Sequence, residues 1–260
     1  MRLLAVRAAL IVGFALSWEY MSGGIDPTVK LWNPAITGRP TLIVSELAAL
    51  FSQGEIWRHL ATTASEFALG LVLGWMSGSA LGLLFAHSVR LDRTLIPFMN
   101  GVNALPHLAL APLLISWLGI GLGSKIAVSA LMALFPIFYN VYQGAKSVHP
   151  QWIEVLKVMG ARRSQVLKIV VAPALVPWLL SGLRISAGLA LVGAVIGEFI
   201  GSTQGLGYLM LFAQGFLQTN RALAILALLA LWGIALDAAL RWIERVVQPW
   251  KPLQVTPHAR

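Results

Sequence analysis

Six stretches of this chain are too apolar and too long to be connections in a water-soluble domain: about residues 3–21, 65–86, 104–118, 126–142, 178–200 and 222–240. A helix needs about 20 apolar residues to cross the hydrocarbon of a bilayer. In lipid only helices and closed barrels satisfy every backbone donor and acceptor. The pattern therefore predicts an all-α integral membrane protein of about six transmembrane helices. Composition agrees, with 58% hydrophobic and 11% charged residues, where a soluble domain has about 45–50% and about 25%. The chain has no cysteine, which excludes disulfides, thiolate chemistry and zinc–thiolate sites. His59, His87, His107, His149 and His258 stand singly, with no i, i+4 pair and no carboxylate cluster, so no metal site is expected. The net charge of +9 would suit nucleic acid. However, the basic residues collect at the ends of the apolar spans as anchors, without an aromatic-interleaved basic face, and no nucleic-acid partner is expected.

The first span begins between Arg2 and Arg7, and its Ala15-Leu16-Ser17 mimics a secretory cleavage site. The bulky Trp18, Glu19 and Tyr20 make a poor exit, so a retained helix is expected. Turn-rich sequence follows, with a short helix over 41–51. The second span carries Gly70, Gly74, Gly78 and Gly82, one per helical turn on a single face. Each glycine costs about 1 kcal/mol relative to alanine in an ordinary helix, so the row predicts close approach of another helix backbone. Residues 87–103 read as a polar connection, and Pro106 and Pro112 break the third span. Gly119-Ile120-Gly121-Leu122-Gly123-Ser124-Lys125 invites a nucleotide-binding reading but lacks the GxxxxGK[ST] frame and a preceding strand. It reads as a tight turn. Phe135, Phe138, Tyr139 and Tyr142 near the end of the fourth span read as an interfacial aromatic belt. Small residues on two faces of the fifth span suggest that it is central, with Arg184 near its start and Glu198 near its end. Ionisable residues at that depth are expensive and commonly functional, which makes these two the candidates for the translocation path, although both could also snorkel to an interface. Asp237 and Arg241 form an expected i, i+4 pair.

The largest polar island in the second half of the chain is the loop 146–177. Lys146, Lys157, Arg162, Arg163 and Lys168 crowd into it beside a single acid, Glu154. Gly160 can take the left-handed conformation that ends a helix, and Pro173 disfavours helix before it. The expected structure is two short helices at the membrane surface with an apolar rim of Val155, Leu156, Val158 and Met159. Glu154, Gly160, Val170 and Pro173 have the spacing Glu, five residues, Gly, nine residues, a branched residue, two residues, Pro. This resembles the cytoplasmic coupling loop of binding-protein-dependent ABC importer permeases. Glu-Val-Leu stands for the usual Glu-Ala-Ala, and Val-Val-Ala-Pro for an Ile-x-Leu-Pro ending. Residues 52–60, Trp117-Leu118-Gly119-Ile120-Gly121 and the Gly-Leu-Gly ending of 201–207 resemble the branch that carries sulfonates, taurine and nitrate. Glu66 stands where that resemblance implies a basic residue.

The resemblance implies the following: a homodimer in a bacterial inner membrane; cytoplasmic ABC ATPase subunits docked on Glu154, Val155, Leu156, Met159, Gly160, Ala161 and Pro173; and a periplasmic or lipid-anchored solute-binding protein. No cofactor is expected on this chain, since ATP and Mg would sit in the ATPase. The implied division is 1–64 as a first helix with an outer loop, 65–249 as the permease core, and 250–260 as a cytoplasmic tail. Charge gives the orientation independently. Arg2, Arg7, Arg90, Arg93, the loop cations, Arg241, Arg245, Lys251 and Arg260 fall on one side, against Lys30, Arg39, Arg58, Lys125 and Arg221 on the other. The positive-inside rule makes the loop and both termini cytoplasmic. The cargo reads as a small sulfonate, taurine or nitrate-like anion; the alternative is a thiamine-precursor pyrimidine or another small heterocycle. A membrane-embedded hydrolase is disfavoured, because Ser79 and Ser186 lie on packing faces without a histidine nearby in a span. An ion-coupled secondary carrier is the remoter alternative, lacking an evident internal repeat.

Overall fold

The computed structural model describes residues 2–25 and 31–248, and these are helical without a strand. The expected tail 250–260 lies outside them. In chain order the helices are α1 (Arg2–Met21), α2 (Pro34–Thr37), α3 (Pro40–Ser52), α4 (Ile56–His87), α5 (Val89–Asn103), α6 (His107–Leu118), α7 (Leu122–Lys146), α8 (Pro150–Val158), α9 (Arg163–Val166), α10 (Ala172–Gly201), α11 (Leu206–Gly215) and α12 (Thr219–Val247). Among the described residues four helices are long and apolar enough to cross a membrane: α4, α7, Arg163–Gly201 as one run, and α12. The pair α5 and α6, bent by 91°, makes a fifth if counted as one span. The expected first span is the 20-residue helix α1, within which Ala9–Met21 is a shorter apolar stretch.

The chain forms two compact units, Met1–Ser65 with Glu198–Trp232, and Glu66–Gly197 with Gly233–Arg260. In the first, Leu50, Ile56, Leu206, Ala213 and Ile225 are buried. The N-terminus of α3 has no cap of its own, since Arg39 offers no side-chain acceptor there. Glu19 of α1 supplies one: its carboxylate accepts from Thr41 N at 3.0 Å and Thr41 Oγ1 at 2.9 Å. One of the donors that a helix start leaves unpaired is thus met by a glutamate from another helix.

In the second unit α7 is central, not the fifth span that the small-residue pattern suggested. Of α7's apolar window 44% is buried, against 17% for Arg163–Gly201. Small residues belong to the helices that approach the centre. A Cβ on Gly74 of α4 would stand 2.6 Å from Ala133 Cβ and 2.7 Å from Ala130 O of α7. From α10, Gly193 lies against Ser129 and Gly182 against Asn140. Two hydroxyls tie the same helices: Ser129 Oγ donates to Ala190 O at 2.9 Å, and Ser186 Oγ to Ala133 O at 2.8 Å.

Three further expectations are corrected. Residues 89–103 are a helix, not a polar connection, because Ser88 caps it by accepting from Leu91 N at 3.4 Å and its Leu91, Leu95, Ile96 and Met99 have a core to cover. That core is Phe85, Phe138 and Tyr142, so Phe138 and Tyr142 are buried packing residues, not an interfacial belt. Phe138 meets Phe85 edge-on, at 5.4 Å between centroids and 89°. Finally, Pro173 does not stop a helix. A π turn over Leu167–Val171 joins α9 to α10, and such a wider turn rearranges the hydrogen bonds just ahead of a residue that lacks an N–H.

Candidate functional site

Pro150 begins α8 at a position where a missing N–H costs nothing. The helix ends in a Schellman motif: Gly160, at φ +77, donates its N–H to Lys157 O at 2.9 Å, and Ala161 N donates to Leu156 O at 2.9 Å. Apart from Gly160 and its chain neighbours, no atom lies within 4 Å of where a Cβ on Gly160 would be. Glycine is required there for its backbone angle, not for space. Arg162 N then donates to Gln165 Oε1 at 2.7 Å, and α9 starts.

This turn fixes which side chains of α8 face outward. Val155 is 59% exposed, Val158 90% and Met159 76%, whereas Ile153 and Leu156 are half-buried against the rest of the loop. Glu154 is exposed beside this rim, and Ala161 is half-buried. An open cleft of about 460 Å³ is lined by Gln151, Trp152, Val155, Leu156 and Val170. A free apolar rim on a polar loop is a surface suited to a protein partner.

Several ionisable residues of the spans are paired within the described structure. In the second unit Glu66 is 0% exposed and Lys125 6%, with Lys125 Nζ 3.4 Å from Glu66 Oε1. This accounts for the acid at position 66. Arg184 pairs with Glu244 and, at 3.7 Å, with Asp237, which also holds Arg241 at 2.6 Å as the i, i+4 spacing implied. At the start of α5, Asp92 accepts from Tyr142 OH and lies 2.5 Å from Lys146 Nζ.

In the first unit Glu198 is 1% exposed, so it does not snorkel to solvent. Its Oε1 accepts from Thr63 Oγ1 at 2.5 Å and its Oε2 from Gly207 N at 2.5 Å. Leu206 N donates to Thr63 Oγ1 at 2.8 Å, and Gly205 N to His59 Nδ1 at 3.0 Å. His59 and Thr63 lie one turn apart on α4, a spacing legible in the sequence, but their partners are more than a hundred residues away. Helix α11 itself had no sequence expectation.

A profile of the family described as binding-protein-dependent transport system inner membrane component matches residues 70–249. A Bacillus subtilis protein named as an aliphatic sulfonates transport permease, SsuC, is 35% identical over 234 residues, covering 90% of this chain and 83% of its own. The formylaminopyrimidine transport permease protein ThiX of Halalkalibacterium halodurans is 33% identical over 222 residues, covering 84% and 89%. Among solved structures, a chain of the inward-facing MetNI methionine ABC transporter matches with a TM-score of 0.61 at 22% identity, over 72% of this chain and 93% of that one. At that identity the likeness is one of fold.

Proposed function

The chain belongs to the family of binding-protein-dependent transport system inner membrane components, and on that premise we propose that it is the membrane-spanning permease subunit of an ATP-driven importer of a small solute. The observation that carries this reading is the exposed rim of Val155, Val158 and Met159, presented by a helix whose end is set by Gly160. A cytoplasmic ATPase docks there, and its closure moves α8 and the helix that continues from α9. Two copies of the chain enclose the solute path, and an external solute-binding protein delivers the cargo. ATP hydrolysis belongs to the separate ATPase, and both chain termini lie in the cytoplasm of a bacterial inner membrane.

The cargo is a small anion of the sulfonate, taurine or nitrate type, supported by the likeness to SsuC. The likeness to ThiX supports a second reading, a small pyrimidine-like heterocycle.

Gly160→Trp forces a bulky side chain into a left-handed backbone angle, at a cost of about 1–3 kcal/mol, and displaces the rim. The mutant is expected to insert normally but to retain several-fold less of the ABC ATPase encoded nearest to its gene when purified from membranes. Glu154→Ala should weaken coupling of ATP hydrolysis to uptake. Wild-type retention of the ATPase by Gly160→Trp, together with normal uptake by both variants, would remove the docking role from this loop.

A further inference from the structure

We propose that Glu198 is a positioning residue, a latch that holds α11 in place by its shape and hydrogen bonds and not by its charge. Its part in import rests on the permease reading above; the latch itself does not.

A helix start leaves its first N–H groups without intrahelical partners, and away from water each must be met. Gly205, the cap residue of α11, has no side chain to offer. Instead three consecutive amides are taken by side chains from elsewhere in the unit: Gly205 N by His59, Leu206 N by Thr63, and Gly207 N by Glu198. Gly205 sits at φ +111, and a Cβ there would collide with the Glu198 carboxylate. The Gly-Leu-Gly run is thus the lock plate into which the glutamate fits.

The proton arrangement separates shape from charge. Thr63 Oγ1 donates to Glu198 Oε1, but it has a second acceptor, the His59 carbonyl, at 3.2 Å. In Glu198→Gln the new amide N–H donates to Thr63 Oγ1, the threonine proton turns to the His59 carbonyl, and the amide oxygen still accepts from Gly207 N. Gly207 N, Leu206 N and the Thr63 hydroxyl each keep a partner without a charge at position 198. Glu198→Ala strands Gly207 N, and Thr63→Val strands Leu206 N. A charge used to move solute or protons would instead be lost in the glutamine variant as completely as in the alanine one.

The chain has no cysteine of its own, so Ala213→Cys, at a position in α11 that is 0% exposed, reports opening of this helix by its rate of maleimide labelling in membranes. The same variants are assayed for uptake of radiolabelled taurine, methanesulfonate and formylaminopyrimidine. Labelling in the Glu198→Gln background is expected to stay within about twofold of the parent, with uptake retained, whereas Glu198→Ala and Thr63→Val should label about tenfold faster or more and lose uptake, as a stranded buried donor implies. Fast labelling and lost uptake in Glu198→Gln, matching Glu198→Ala, would overturn the proposal by showing that the charge is required. Slow labelling in Glu198→Ala would overturn it by showing that nothing is latched. If the labelling pattern holds while the parent carries none of the three probes, the latch stands and the cargo reading fails.

Discussion

Lys125→Met is expected to lower the stability of the folded protein by about 3–5 kcal/mol, the typical cost of removing one partner from a buried ion pair. Glu66 is fully enclosed and Lys125 nearly so, and Gly197 of α10 packs against the lysine stem, a Cβ there standing 3.2 Å from Lys125 Cα. Methionine replaces most of that stem volume, so the loss comes from the carboxylate left behind without its cation. Glu66→Gln combined with Lys125→Met removes both charges and is expected to recover most of the loss, because a buried pair replaced as a whole is often close to neutral. The midpoint of unfolding by sodium dodecyl sulfate, measured for both single variants and the double, gives the coupling energy. A double variant as unstable as the sum of its singles would mean that the two residues do not stabilise one another.

The pair also shows what the sequence could and could not convey. Apolar length placed the spans of α4, α7, α10 and α12, and the Gly160 break placed the end of α8, because both are local properties of a few turns of chain. Lys125 reads as part of a turn because three glycines stand just before it. The helix starts at Leu122, immediately after Gly121, so the lysine stands in its first turn and is buried in the second unit. Its partner lies 59 positions earlier, and no local pattern links them. The same holds for Thr63 and Glu198, 135 positions apart. Small residues misled in a related way, since they mark the helices that approach a centre and say nothing about which helix is approached. Pro173 carries a strong local signal for a break, yet the π turn ahead of it lets the run continue.

Gly74→Leu is the packing change expected to cost most, about 3 kcal/mol or more, near the upper end of what overpacking usually does. The row on α4 meets main chain as well as side chain: a Cβ on Gly78 would lie 2.6 Å from Leu134 O, and one on Gly82 would lie 2.8 Å from Phe138 O. A flexible side chain could turn aside, but a carbonyl inside a helix cannot move without breaking its own hydrogen bond. Helix α7 is also tied to α10 by the hydrogen bonds of Ser129 and Ser186, so it has little freedom to retreat. Gly233 of α12 provides the contrast, for nothing lies within 4 Å of a Cβ there. Gly233→Ala should raise stability by about 0.5–1 kcal/mol, the ordinary helical preference for alanine over glycine. The two variants therefore move the unfolding midpoint in opposite directions although each only adds carbon to a helical glycine. If Gly74→Leu inserts and unfolds at the wild-type detergent concentration, α4 and α7 do not approach as closely as these contacts require, and the four-residue spacing of glycines needs another cause.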